Sequence, residues 1–129
     1  MPLTRVALRK GQPAAYKKAI LDGLYQAMRE TMAVPEGDRF MSITEHDEDS
    51  FAYGENYLGI ERSDNSIQVQ IFLATGRTVE QKQALYARIV ELLADNPGVQ
   101  PADVFVSVVE QPRENWSFGN GIAQFVKPH

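Results

Sequence analysis

Apolar positions along this chain follow two rhythms that alternate and then repeat. Residues 3–8 (LTRVAL) form a short run with strand character. The interval then widens: Tyr16, Ile20, Leu24, Met28 and Met32 fall four apart, with Ala27 beside them, as on one face of an amphipathic helix. Gly11, Gln12 and Pro13 precede this helix. Pro13 suits its first position, where a missing N–H costs nothing. Val34, Pro35, Glu36 and Gly37 end it, and residues 39–45 (RFMSITE) predict a second strand. The polar stretch 47–65 predicts a connecting loop, with a short strand near Leu58–Glu61. From residue 66 the two rhythms recur. Ile67, Val69, Ile71 and Leu73 alternate with Gln68 and Gln70 across SIQVQIFL. Thr78, with Gln81 three residues on, matches a capping box. The helix it opens points Val79, Leu85, Ile89, Leu92 and Leu93 at the core. Asn96, Pro97 and Gly98 stop that helix, and residues 103–109 (DVFVSVV) predict a fourth strand.

The order is therefore β-α-β, loop, β-α-β and an aromatic tail. Strand–helix–strand units of this length make right-handed parallel crossovers. The fold class expected is α/β (α+β): two such units, about 2–46 and 58–110, forming a four-stranded mixed sheet with two helices on one face. A single domain over 1–129 is expected, with a C-terminal tail at 111–129. Only the tail is left to cover the other sheet face, so that face is expected to pack against other subunits.

Composition narrows the function classes. The chain has 13 basic and 17 acidic residues, a net charge of -4, which argues against a nucleic-acid reader. It has no cysteine, which removes disulfides, thiolate catalysis and sulfur-ligated metals. His46 and His129 are too far apart in sequence to suggest a metal site. No signal-peptide core and no membrane-length apolar stretch is seen, so a cytoplasmic location is expected.

Several motifs carry a resemblance over nearly the whole chain. They are MPL at 1–3, VPEGDRF at 34–40, LGIERSDN at 58–65, GRTVEQKQ at 76–83, DVFVSVVE at 103–110 and WSFGNGIAQF at 116–125. Met-Pro alone is weak; together with GDRF, the arginine after the third strand and WSFGxGxAQF the match is specific. The chain resembles the tautomerase superfamily, most closely the malonate semialdehyde decarboxylase family. The resemblance implies a homotrimer with an N-terminal proline at the centre of each site. By motif position Pro2 matches that proline, once Met1 is removed. Asp38 matches the aspartate that assists it, and Arg77 the arginine that holds the substrate carboxylate. Trp116, Phe118 and Phe125 match the apolar wall. Some decarboxylases of the family carry two arginines before the second helix. Here the stretch reads Thr75-Gly76-Arg77, like a branch with one.

The chemistry suits these residue types. A chain-end amine titrates at about 7.7–8.0 in peptides, so it can serve as base or acid near neutrality. Apolar walls favour its neutral form, and a carboxylate such as Asp38 its charged form. Arginine is a planar fork that grips a carboxylate by two bonds. The resemblance therefore implies decarboxylation of a 3-oxo acid with Pro2 as general acid. The alternative is keto–enol tautomerisation of a 2-oxo acid such as phenylpyruvate, with Pro2 as general base. No cofactor and no metal is expected, because a β-carbonyl accepts the electron pair itself. The partner expected is a small carboxylate, not nucleic acid or membrane. Taken singly, each residue has a plainer role: Pro2 an ordinary second residue, Arg77 a solvated loop charge, Asp38 a turn residue, Trp116 and Phe118 interface aromatics. His46 reads as a strand-end residue, and Tyr16 and Tyr25 as helix packing.

Overall fold

A computed structural model describes residues 2–127. Six main elements follow in order: β1 (Leu3–Arg9), α1 (Ala14–Met32), β2 (Phe40–His46), β3 (Ile67–Ala74), α2 (Val79–Asp95) and β4 (Val104–Gln111). The strands form one mixed sheet in the order β2-β1-β3-β4. β1 pairs in parallel with β2, and β3 in parallel with β4; the two units join through the antiparallel β1–β3 pair. The predicted architecture is present, with strand limits displaced by one or two residues.

Alternation along the strands decides the layers. Val6, Leu8, Ile67, Val69, Ile71 and Leu73 are buried in one cluster with Ile20, Leu24, Met28, Leu85, Ile89 and Leu93 of the helices. Each such side chain contributes roughly 1.5–3 kcal/mol by leaving water. α1 and α2 pack closely at Gly23, where an added Cβ would lie 2.9 Å from Leu93 Cδ2. The other sheet face is bare in the single chain and leaves Phe40 and Phe105 about half exposed.

Helix ends follow local chemistry. Thr78 accepts a hydrogen bond from the Gln81 backbone N–H, and the Gln81 side chain accepts one from Thr78 N–H, so the predicted capping box is complete. Pro13 is the cap residue, with α1 starting one position later at Ala14. α1 stops at Ala33, which adopts a left-handed conformation (φ 54°).

Two expectations need correction. No strand forms near Leu58–Glu61. Tyr57–Gly59 is a 3-10 turn with Leu58 in the left-handed region (φ 59°). The Arg62 guanidinium explains this, since its Nη1 donates to the carbonyls of Gly54, Tyr57 and Ile60. The loop winds around one cation, and those carbonyls have no need of a strand partner. Val79 does not face the core: it stands at the first position of α2 and is 64% exposed. The loop's far side is pinned to the start of β4 by buried Asp103, which accepts bonds from Ser63 N and Oγ and from Ser66 Oγ.

Candidate active site

Register gathers the motif residues at one end of the sheet. Leu3 faces Phe40 on one side and Phe72 on the other, while Ala74 faces Gln111. The starts of β1 and β2 therefore lie beside the ends of β3 and β4. The connections bring the last turn of α1 and the first turn of α2 to the same end. Pro2, Asp38, Arg77 and the segment after β4 all meet there, although up to about a hundred residues separate them in sequence. His46 lies at the opposite end of β2, its ring 5.9 Å from that of Phe51, as expected of a strand-end residue.

Pro2 is buried and lines a cavity of about 210 Å³ together with Leu3, Phe40, Trp116, Ser117 and Phe118. The wall is a chain of rings. Phe40 and Phe118 lie 5.9 Å apart, Trp116 stacks on Phe118 at 5.9 Å, and Phe125 meets Phe118 edge-on at 5.1 Å. The tail can make this wall because it folds back on itself. Gly119, Asn120 and Gly121 all take positive φ, and Gln124 accepts from Phe118 N–H while donating to the Gly119 carbonyl. The motif WSFGNGIAQF is thus a loop stitched by its own glutamine; Trp116 and Phe118 line the cavity, while Phe125, expected in the wall, packs on Phe118 and is not among the lining residues.

Asp38 sits in a turn anchored on both sides by α1. The Gly37 N–H donates to Tyr25 Oη at 2.9 Å. Arg39 donates to Asp22 Oδ1 at 2.6 Å, with its guanidinium 4.8 Å from the centre of the Tyr25 ring. Hydrogen bonds from Arg39 and then Lys18 hold the Asp22 carboxyl below the usual aspartate range. Asp38 itself is half-buried, and its Oδ1 is shielded from solvent.

Arg77 follows Gly76, whose φ of 122° only glycine adopts readily. Its Nη1 donates to the Ala74 carbonyl at 3.3 Å and its Nη2 to the Met32 carbonyl at 3.2 Å. The guanidinium thus rests on the C-terminal end of α1, where a cation is favoured. A guanidinium has five N–H donors, so this seat leaves part of the fork for a ligand. The first turn of α2 begins at the next residue, and its N–H groups favour an anion. Arg77 and Asp38 are not walls of the Pro2 cavity; they flank the same sheet end. Among the described residues no cluster of three His, Asp or Glu could hold a metal ion, and no helix is long and apolar enough to cross a membrane.

Sequence reasoning missed several contributors. Leu3, Phe40 and Ser117 line the cavity, and each lies within a quoted motif (MPL, GDRF and WSFG) without having been singled out there. Tyr25, expected merely to pack, is the acceptor that holds the Asp38 turn. The supporting role of Asp22 is a long-range contact with no local signature.

Comparison with known proteins gives the fold and the family. A family model described as "Tautomerase enzyme" matches residues 38–119. A Bacillus subtilis protein named "Probable tautomerase YusQ" is 36% identical over 127 residues, covering 98% of this chain and all of that one. A crystal structure of malonate semialdehyde decarboxylase superposes with a TM-score of 0.91 at 31% identity, covering 95% of both chains. A second, inhibited by 3-bromopropiolate, gives 0.90 at 36% identity, covering 95% of this chain and 93% of that one.

Proposed function

Since the chain belongs to the tautomerase family, we propose that it is a cofactor-independent decarboxylase of a 3-oxo acid such as malonate semialdehyde, working through Pro2. The observation that carries this reading is the buried position of Pro2 in an aromatic cavity at the sheet end that also receives the Asp38 and Arg77 turns. Removal of Met1, which lies outside the described residues, turns Pro2 into a secondary amine at the chain end. Asp38 stabilises its protonated form. Arg77 holds the substrate carboxylate, and the Pro2 ammonium donates to the aldehyde oxygen. The C–C bond to the carboxylate then breaks, its electron pair passes into the enolate, and carbon dioxide leaves. A proton taken up at carbon completes the aldehyde. The ammonium stabilises charge where it develops, and the walls formed by Trp116 and Phe118, with Phe125 packed on Phe118, keep water from weakening that contact.

One observation favours a second reading, tautomerisation of a 2-oxo acid with neutral Pro2 as base. The cavity around Pro2 is mostly apolar, and apolar surroundings favour a neutral amine. A pH–rate profile on malonate semialdehyde and on phenylpyruvate separates the two. As decarboxylase, the enzyme loses kcat/KM as pH rises and the ammonium deprotonates. Turnover of phenylpyruvate alone, lost as pH falls, overturns the first reading in favour of the second.

The bare sheet face supports a homotrimer. Leu3, Phe40, Phe72 and Val109 form an apolar row across all four strands, and Phe105 stands 56% exposed below it. Such a patch is usual for an interface. Light scattering is expected to give three times the 14.5 kDa chain mass; a monomer in dilute solution overturns the assembly.

A further inference from the structure

Glu110 and Lys82 belong to no part of the site described so far, yet they border it. Glu110 is the penultimate residue of β4, opposite Leu73 of β3. Lys82 lies in the first turns of α2, immediately after the capping box. The two form an ion pair through Lys82 Nζ and Glu110 Oε1, each side chain about three-quarters buried. The second oxygen, Glu110 Oε2, accepts a bond at 3.3 Å from the N–H of Gly76, the residue before Arg77. On the neighbouring residue, Thr75 N–H donates to the Gln111 carbonyl at 3.0 Å. The turn that presents Arg77 is therefore tied to β4 by two consecutive N–H groups, one held by a side chain.

We infer that Lys82 and Glu110 act as a charge-balanced brace for Arg77, Glu110 fixing the Gly76 turn while Lys82 holds that carboxylate away from the Arg77 guanidinium. The inference rests on the reading of Arg77 as the carboxylate-binding residue. An arginine that must receive a substrate carboxylate cannot stand beside an uncommitted glutamate, because the protein's own carboxylate would win the fork at high effective concentration. Lys82 resolves the conflict by occupying Oε1. The Lys82 hydrogen bond holds the Glu110 carboxyl below the usual glutamate range, with the Gly76 N–H and the Arg77 charge adding to the effect. The conflict is therefore permanent at neutral pH. Arg77 meanwhile takes its own support from the Met32 and Ala74 carbonyls, which do not compete for the ligand's charge. The brace also fixes the height of the turn. Gly76 has φ 122° and no side chain, so few contacts of its own would hold Arg77 in place.

The test uses Trp116, the single tryptophan of the chain, which lines the cavity. Its fluorescence is titrated with malonate on processed full-length protein. Lys82→Met frees Glu110 to close on Arg77 and is expected to raise the malonate Kd about tenfold. Adding Glu110→Gln to that variant removes the competing charge and leaves an amide oxygen to accept from Gly76 N–H. The double variant is expected to return to within about threefold of wild type, a non-additivity that loss of a merely structural ion pair does not produce. In turnover the Lys82→Met effect falls on KM with kcat little changed. Lys82→Arg keeps the cation and is expected to keep the affinity, which preserves the test if the methionine variant folds poorly. Lys82→Met binding malonate as wild type does, or the double variant remaining as weak as Lys82→Met, overturns the brace. Arg77→Ala separates the two levels. If it leaves malonate binding unchanged, or if wild type gives no malonate response, the carboxylate-binding reading falls and the brace with it. If Arg77→Ala abolishes binding while Lys82→Met does not alter it, only the brace falls.

Discussion

Pro2→Ala is expected to lower kcat/KM for the 3-oxo acid by about 10²–10⁴-fold, the usual contribution of a positioned general acid or base. Alanine at the chain end still leaves an amine after Met1 removal, so the loss measures more than the presence of a nitrogen. Proline supplies a secondary amine whose ring fixes the nitrogen direction. Here the ring is buried and lines the cavity together with Leu3, Phe40 and Phe118. A primary amine on alanine rotates freely and fills the cavity less well. The stability cost is expected to be small beside the catalytic one, because Pro2 precedes β1 and lies outside the main core cluster. Steady-state kinetics with thermal melts of both proteins checks this. A matching intact-mass measurement adds a second readout. In chains that retain Met1 the Pro2 nitrogen is an amide, and activity should scale with the processed fraction. A Pro2→Ala protein within about threefold of wild type, or activity independent of processing, overturns the role of Pro2.

Arg77→Ala is expected to cost on the order of 10²–10⁴-fold in kcat/KM, mostly through KM. Two charge-assisted hydrogen bonds at about 1.5–3 kcal/mol each account for that range. Arg77→Lys keeps the charge but replaces the planar fork by a point donor, so it is expected to recover only part of the loss. The substitution also releases the Met32 and Ala74 carbonyls. Both bonds are long, at 3.2 and 3.3 Å, so the melting temperature should move little. Kinetics and melts together check this: a large fall in stability with KM unchanged would mark Arg77 as a structural clamp on α1, not a ligand for substrate. The single arginine makes the expectation sharp, because Thr75-Gly76-Arg77 offers no second guanidinium in that turn.

The Pro2 and Arg77 experiments probe opposite halves of one chemistry. In the proposed decarboxylation Pro2 stabilises the oxygen on which charge develops, and Arg77 orients the group that leaves. Their relation to the brace is asymmetric. Lys82 and Glu110 adjoin the Gly76 turn, whereas the Asp38 turn has its own anchors in Tyr25 and Asp22. Substitutions at Lys82 should therefore combine additively with Pro2→Ala and non-additively with Arg77→Ala.

Local patterning by itself determined the element order. The four-residue spacing from Tyr16 to Met32 and the alternation from Ile67 to Leu73 reflect helix and strand periods that need no tertiary information. The Thr78–Gln81 capping box was equally legible, because all its partners lie within four residues. Its neighbour Val79 shows the limit. An apolar residue at a helix's first position looks like core in sequence, yet the folded chain leaves this side chain mostly exposed. The loop near Leu58 shows another: Arg62 drew three carbonyls around itself, an arrangement no strand pattern encodes. Of the site, Pro2, Asp38, Arg77, Trp116, Phe118 and Phe125 could be named from motifs, yet their meeting at one end of the sheet depends on the register of three strand pairs. The roles of Tyr25, Phe40, Lys82 and Glu110 came only from tertiary structure. Their partners lie between 12 and 78 residues away in sequence, and contacts over that distance are set by how sheet and helices stack, not by any local preference of the chain.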